Sequence, residues 1–275
     1  MFWQTSRFRI DLHRPRVMGI INVTPDSFSD GGLHADTRAA LLQCERLLGE
    51  GADLLDIGGE SSRPGAATLP LDEELKRVVP VLREAVRLGV PISVDTYKTE
   101  VMQAALDLGV DILNDIHALR SPGALALAAA HPGCGVCLMH MQGEPKSMQS
   151  APRYDDVVRE VAAFLEQRAR ALQGHGVRAE RIVLDPGIGF GKTVEQNFEL
   201  LARQPEIAAL GYPLLAGWSR KSSLGAVTGR PVGERLVASV AAALAAVQRG
   251  ARIVRVHDVA ATVDALKVWQ HAGLA

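Results

Sequence analysis

PISVDTYKTEVMQAALDLGVDILND, residues 91–115, holds two short apolar runs that each stop on polar side chains, with a helical stretch between them. PISV stops at Asp95, and DIL at Asn114-Asp115. Apolar runs this short, bounded by polar and turn-forming residues, read as buried strands, and a helix between two of them predicts parallel pairing. The unit recurs along the whole chain. Upstream, VMGIIN ends at Asn22 and ADLLDI opens into GGESSRPG. Downstream, CLM ends at His140, IVL at Asp185-Pro186-Gly187, PLLAG at Trp218-Ser219-Arg220-Lys221, and IVRV at His257-Asp258. Eight candidate strands, parallel and closed into a ring, bring these polar ends to one face, where barrel enzymes keep their chemistry.

Helices fill the intervals. From Asp36, residues Ala40, Leu41, Cys44, Leu47 and Leu48 repeat at helical spacing and Gly51 can close the end. Leu75, Val78, Val79, Leu82 and Val86 repeat likewise before Gly89. Tyr154–Gln173 predicts a long helix with Val157, Val158, Val161, Phe164, Leu165 and Leu172 inward, and Glu234–Gln248 is apolar almost all round. Such a helix is either deeply packed or part of a subunit interface. The long loops, Thr24–Asp36, Gly58–Leu71 and Gln142–Arg153, all follow strands, as expected of functional loops at the C-terminal face of a barrel. A doubly wound open sheet is the rival, but it gives no reason for eight unbroken units. The expectation is a single-domain α/β protein over residues 1–275, a (β/α)8 TIM barrel with a short hairpin around Phe8–Leu12 plugging its bottom.

Composition narrows the function class. With 30 Lys+Arg against 31 Asp+Glu, the net charge of −1 offers no general pull on nucleic acid or an anionic membrane, so any anion site must be local. No secretory apolar region or membrane-length run is present in the sequence, and three cysteines (Cys44, Cys134, Cys137) cannot all pair, so a reducing cytoplasmic setting is expected. Cys134 and Cys137 form a lone CxxC, which reads as a small apolar pair leading into a strand rather than a metal or redox site.

Three groups of residues suggest chemistry. Asp95, Asn114 and Asp185 sit at strand ends and can line one pocket; a carboxylate receives paired N–H donors and an amide serves donors and acceptors alike. Asp185 can instead anchor its own loop before Pro186-Gly187, and Asp95 can be an ion-paired barrel residue. Asn22, Arg255 and His257 form a second group: a guanidinium fork suits phosphate, and an amide oxygen suits hydrated Mg²⁺. Arg255 and His257, two apart on a strand, share a face, although Arg255 alone would more often be an ion-pair residue. The third is Ser222, just after Lys221 near a helix start, where a carboxylate is favoured.

MGIINVTPDSFSDGG (18–32), DIGGESSRPGA (56–66), SVDTYK (93–98), NDI (114–116), LMHMQGEPK (138–146), DPGIGFGK (185–192), GWSRKS (217–222) and RVHDV (255–259) occur in register. Together they resemble the dihydropteroate synthase family of folate biosynthesis, over about Met18–Asp258. The resemblance implies a transferase joining 6-hydroxymethyl-7,8-dihydropterin diphosphate to p-aminobenzoate, with 7,8-dihydropteroate and pyrophosphate as products. It places Asp95, Asn114, Asp185 and Lys221 on the pterin and counts Met139 and Phe190 among the substrate-binding residues. It places Asn22, Arg255 and His257 at the diphosphate, with Asn22 bridging through Mg²⁺. Phe28, Asp30, Ser62, Arg63 and Pro64 become closing loops, and Ser222 seats the p-aminobenzoate carboxylate. Sulfonamides, which mimic p-aminobenzoate, are the expected inhibitors, and a homodimer through the late helices is expected. Ser62 stands where the family often has threonine, which keeps the hydroxyl and loses a methyl; His117 stands where the usual residue is smaller. The rivals are a barrel passing a methyl group from methyltetrahydrofolate to a corrinoid protein, which has no need of the SRKS segment, and an inactive pterin-binding paralogue.

Overall fold

The computed structural model describes residues 1–24, 32–61, 65, 68–144, 148–149 and 151–273. A two-stranded antiparallel hairpin, β1 (Phe2–Gln4) and β2 (Arg9–Asp11), precedes the barrel. The barrel strands are β3 (Arg16–Asn22), β4 (Leu54–Gly58), β5 (Ile92–Asp95), β6 (Ile112–Asp115), β7 (Gly135–Met139), β8 (Ile182–Asp185), β9 (Leu214–Ala216) and β10 (Ala251–Val256). They pair in parallel and close in the order β10-β3-β4-β5-β6-β7-β8-β9. Outside them run α1 (Gly32–Gly49), α2 (Leu71–Ala85), α3 (Thr99–Asp107), α4 (Ala124–Ala130), α5 (Val157–Gly174), α6 (Val194–Ala202), α7 (Gln204–Ala208), α8 (Ser222–Thr228), α9 (Leu236–Gln248) and α10 (Val259–His271). The TIM barrel read from the strand ends is the observed fold.

The helices follow from spacing and caps. In α2, Val78, Val81, Leu82 and Ala85 are buried, while Asp72, Glu73 and Glu74 occupy the first turn, where negative charge opposes the helix dipole. The expected start of α5 at Tyr154 moves to Val157, because the Asp156 carboxylate accepts from the N–H groups of Val158 and Arg159 and fixes the N-terminus there. Residues Val157, Val158, Val161, Leu165, Ala169 and Leu172 line its buried face; Phe164 is only partly buried. In α9, Ser239, Ala242, Ala243 and Ala246 are buried, but Leu236 and Val237 stand 44% and 77% exposed. That helix packs one face only.

The hairpin closes the bottom of the barrel. Trp3, Ile10 and Leu12 form a cluster with the inward residues Met18, Leu54, Ile112, Cys137, Val183, Leu215 and Ile253. Burying a side chain the size of Leu12 contributes about 1.5–3 kcal/mol. The Trp3 indole N–H donates to the Arg181 carbonyl at 3.0 Å, so its polar edge is satisfied inside the plug. All three cysteines are free and buried, and burial pushes the Cys44 thiol up to about 12. No helix among the described residues is long and apolar enough to cross a membrane.

Candidate active site

Inward positions on a strand recur every second residue, and here they change character from bottom to top. Leu54 is followed inward by Asp56 on β4, Ile112 by Asn114 on β6, Val183 by Asp185 on β8, and Ile253 by Arg255 on β10. The lower ring is apolar and seals on the hairpin. The upper ring is charged and faces the loops. Parallel register brings Asn22 level with Gly58, Gly58 with Asp95, and Asp95 with Asn114.

These ends surround a cavity of about 610 Å³. Asn22, Asp95, Asn114, Met139, Asp185, Phe190, Lys221, Ser222, Arg255 and His257 all line it. Every sequence-predicted site residue that is described therefore lies in one place; Phe28, Asp30, Ser62, Arg63 and Pro64 lie outside the described residues. A cleft of about 590 Å³ at the opposite end, lined by Phe2, Arg9 and Arg178 among others, meets none of these strand ends.

At the centre is one guanidinium held by two carboxylates. Arg255 Nε donates to Asp56 Oδ2 and Nη2 to Asp95 Oδ2, both at 2.6 Å. Asn114 Nδ2 donates to the same Asp56 oxygen at 3.0 Å. The ion-pair readings of Asp95 and Arg255 thus hold, and they do so inside the cavity. Burial pushes the Asp95 carboxyl up to about 7; Arg255 pulls it down, while Asp56, Glu74 and Asp115 add to the rise. Burial opposes the Arg255 charge, but Asp56 and Asp95 outweigh it and hold that pKa above its usual range. With Nε and Nη2 committed, Nη1 is left for a third partner.

Asp185 also does both things proposed for it. It lines the cavity, and its Oδ1 accepts the Gly187 N–H at 2.7 Å, anchoring the loop. Burial raises its pKa, against the pull of that hydrogen bond and of Lys221, Arg255 and Lys192. The Lys221 ammonium lies 4.0 Å from the Phe190 ring centroid, within cation–π range. Lys221 follows Arg220, whose φ of 60° is unusual for a side chain of that size. The turn is held from outside: Arg220 pairs with Asp258 at 2.6 Å and its N–H donates to Ser239 Oγ at 2.9 Å. Ser222 begins α8, which ends by Thr228 and so supplies only the field of a short helix.

His257 is oriented by Ser219. The His257 backbone N–H donates to Ser219 Oγ at 3.1 Å, and that hydroxyl lies 3.0 Å from Nδ1. That contact fixes the orientation of the imidazole ring. Ile116, Met139, Met141, Met148 and Phe190 form an apolar cluster with Tyr97 packed against it. His117, given no role from sequence, has its ring 4.4 Å from Tyr97 and its Nε2 3.2 Å from Glu144.

Sequence reading missed two parts of this site. Asp56 is fully buried, and its signal was a carboxylate at an inward position of an otherwise apolar strand, a placement that requires a partner. Ser219 carried no signal beyond its place in the SRKS segment.

A barrel cavity lined by three carboxylates, two amides and four lysine or arginine side chains suits a pterin, and residues 18–257 match the family model described as "Pterin binding enzyme". The dihydropteroate synthase of Neisseria meningitidis serogroup C is 54% identical over 99% of this chain and 98% of its own. A solved structure of the Burkholderia cenocepacia dihydropteroate synthase, complexed with 7,8-dihydropteroate, is 52% identical and superposes with a TM-score of 0.90 over 99% of this chain and 96% of that one. The Yersinia pestis dihydropteroate synthase, solved as a sulfonamide drug complex, is 46% identical with a TM-score of 0.94 over 100% of both chains. The chain belongs to the pterin-binding enzyme family, among its dihydropteroate synthases.

Proposed function

We propose that the protein condenses 6-hydroxymethyl-7,8-dihydropterin diphosphate with p-aminobenzoate, releasing pyrophosphate and 7,8-dihydropteroate. The observation that carries this reading is the mixed charge lining one cavity: the carboxylates of Asp95 and Asp185 beside Lys221, Arg255 and the His257 ring, with buried Asp56 holding Arg255. The electron-rich pterin delocalises positive charge, so the exocyclic C–O bond breaks before the amine attacks. Asp95 and Asp185 stabilise the developing ring cation and receive the pterin N–H groups, with Asn114 held in place by Asp56. Arg255 Nη1 and the His257 ring face the departing diphosphate, and Lys221, steadied over Phe190, donates to the ring carbonyl or N5. Because Arg255 holds Asp95 as well, losing it disturbs the pterin end too, rather than the diphosphate end alone.

Mg²⁺ fits this cavity through Asn22. Its amide oxygen is a hard donor at the end of β3, and its side chain makes no hydrogen bond to another described residue. Asn22 would hold the ion there, which would supply positive charge to the leaving diphosphate. Ser222 donates to the p-aminobenzoate carboxylate, and sulfonamides compete for that seat. Phe28, Asp30, Ser62, Arg63 and Pro64 close over the substrates and exclude water from the cation. A homodimer through the late helices accounts for the apolar exposure of Val227, Val232, Leu236 and Val237, and sedimentation of a monomer at working concentration would reject it. A reducing cytoplasmic setting suits the three free cysteines.

Incubating both substrates with the protein and Mg²⁺ and assaying dihydropteroate by mass tests the reading. Methyl transfer from methyltetrahydrofolate to a corrinoid acceptor, with no dihydropteroate formed, would move the chain to the rival barrel.

A further inference from the structure

Lys192 is 2% exposed, and no carboxylate among the described residues pairs with it. Its Nζ sits instead among four acceptors. Gly187 O lies at 2.9 Å, Phe190 O at 3.0 Å, His140 Nδ1 at 3.0 Å and His140 O at 3.3 Å. Two of these belong to the loop after β8 and two to the end of β7. The loop lies directly on the neighbouring backbone: a Cβ on Gly187 would stand 1.9 Å from His140 O, and one on Gly191 2.4 Å from Gln142 O. Both glycines have left-handed φ, 69° and 62°, which turn the loop carbonyls inward. Loop amides are tied separately, Gly187 N–H to Asp185 and Gly189 N–H to Asn197 Oδ1 at 2.7 Å. The carbonyls would otherwise be crowded together without a donor, which is costly inside a protein.

We propose that Lys192 is a positioning residue for the pterin half of the cavity: its amino group takes the place of an internal cation, stitching the 186–191 loop to the end of β7 and so fixing Asp185 and Phe190. Phe190 in turn seats Lys221, so three cavity residues depend on one buried donor. Burial lowers the Lys192 pKa to about 7 and the His140 pKa to about 2, which leaves His140 neutral and able to accept at Nδ1. The inference rests on the proposed function in taking the ring seat as a pterin seat.

The test compares Lys192→Met, Lys192→Ala and His140→Phe with the wild type, reading the Kd of bare 6-hydroxymethyl-dihydropterin by calorimetry alongside steady-state kinetics. Lys192→Met should raise that Kd and the KM for the pterin diphosphate about tenfold or more, because small displacements of positioning groups are expensive. The KM for p-aminobenzoate should rise less than that for the pterin diphosphate, since Ser222 belongs to α8 and not to the 186–191 loop. Ethylammonium should restore pterin binding to Lys192→Ala, where tetramethylammonium at equal ionic strength does not. Should Lys192→Met fail to fold, His140→Phe, which keeps an aromatic side chain and withdraws the Nδ1 acceptor while leaving the backbone carbonyl, should weaken pterin binding in the same direction by about threefold. Unchanged pterin binding in folded variants, or equal losses for both substrates, overturns the proposal. A wild type that binds the pterin without making dihydropteroate would instead refute the proposed function and leave the Kd comparison intact.

Discussion

Arg255→Met removes the one cation that touches both Asp56 and Asp95. Asp56 then keeps only the Asn114 amide, and Asp95 keeps no side-chain donor among the described residues. Deleting one partner of a buried ion pair costs about 3–5 kcal/mol, because the charge left behind has lost its compensation. At about 2.1 cal/mol/K per residue, the unfolding entropy of a chain of this length is about 0.6 kcal/mol/K, so Tm should fall by about 5–9 °C at pH 8. The loss should depend on pH with a definite sign. Asp95 titrates at about 7, and without Arg255 it rises further, so at pH 5.5 the variant binds a proton there and buries one charge fewer. The Tm deficit should therefore shrink on going from pH 8 to pH 5.5, in thermal melts followed by circular dichroism. A Tm within about 2 °C of wild type at pH 8, or a deficit that grows in acid, would refute the view that Arg255 neutralises this pair.

Three further outcomes follow from the same charges. Asp95→Asn should raise Tm at pH 8, with the gain fading toward pH 4, while abolishing pterin binding in calorimetry. The sign follows from a carboxyl whose folded pKa, about 7, exceeds its unfolded value: its contribution is favourable in acid and is lost as pH rises through 7. Asp185→Asn keeps an oxygen for the Gly187 N–H but loses the charge, so turnover should fall more than about tenfold with the fold intact; near-normal rates would remove Asp185 from the chemistry. Ser219→Ala frees the His257 ring from the hydrogen bond that orients it, and pyrophosphate release should slow about tenfold, with p-aminobenzoate affinity unaltered as the control.

The barrel was legible because strand, polar end and helix recur with short returns between them, a pattern that local sequence carries. The strand ends were legible for the same reason, and all ten described candidates line the cavity. The partners of those ends were not. Arg255 meets Asp56 across 199 positions and Asp95 across 160, and no spacing rule reaches that far. The alternatives weighed for Asp95, Arg255 and Asp185 proved compatible with the site, because a buried active site needs its charges paired before substrate arrives. Lys192 was opaque for another reason: nothing in its local sequence marks it as buried, and only the folded carbonyls reveal what it holds. The start of α5 moved to Val157 because capping by Asp156 decides it, not the apolar period.

The central claim is that this cavity breaks the C–O bond of a pterin diphosphate and gives the carbon to an arylamine. It is tested most directly by pyrophosphate release from 6-hydroxymethyl-7,8-dihydropterin diphosphate with Mg²⁺, measured with and without p-aminobenzoate. Release should track dihydropteroate one for one, with a slow residual release without the amine as the bond breaks ahead of attack. Well-folded protein that binds the pterin but releases no pyrophosphate with both substrates present would contradict it.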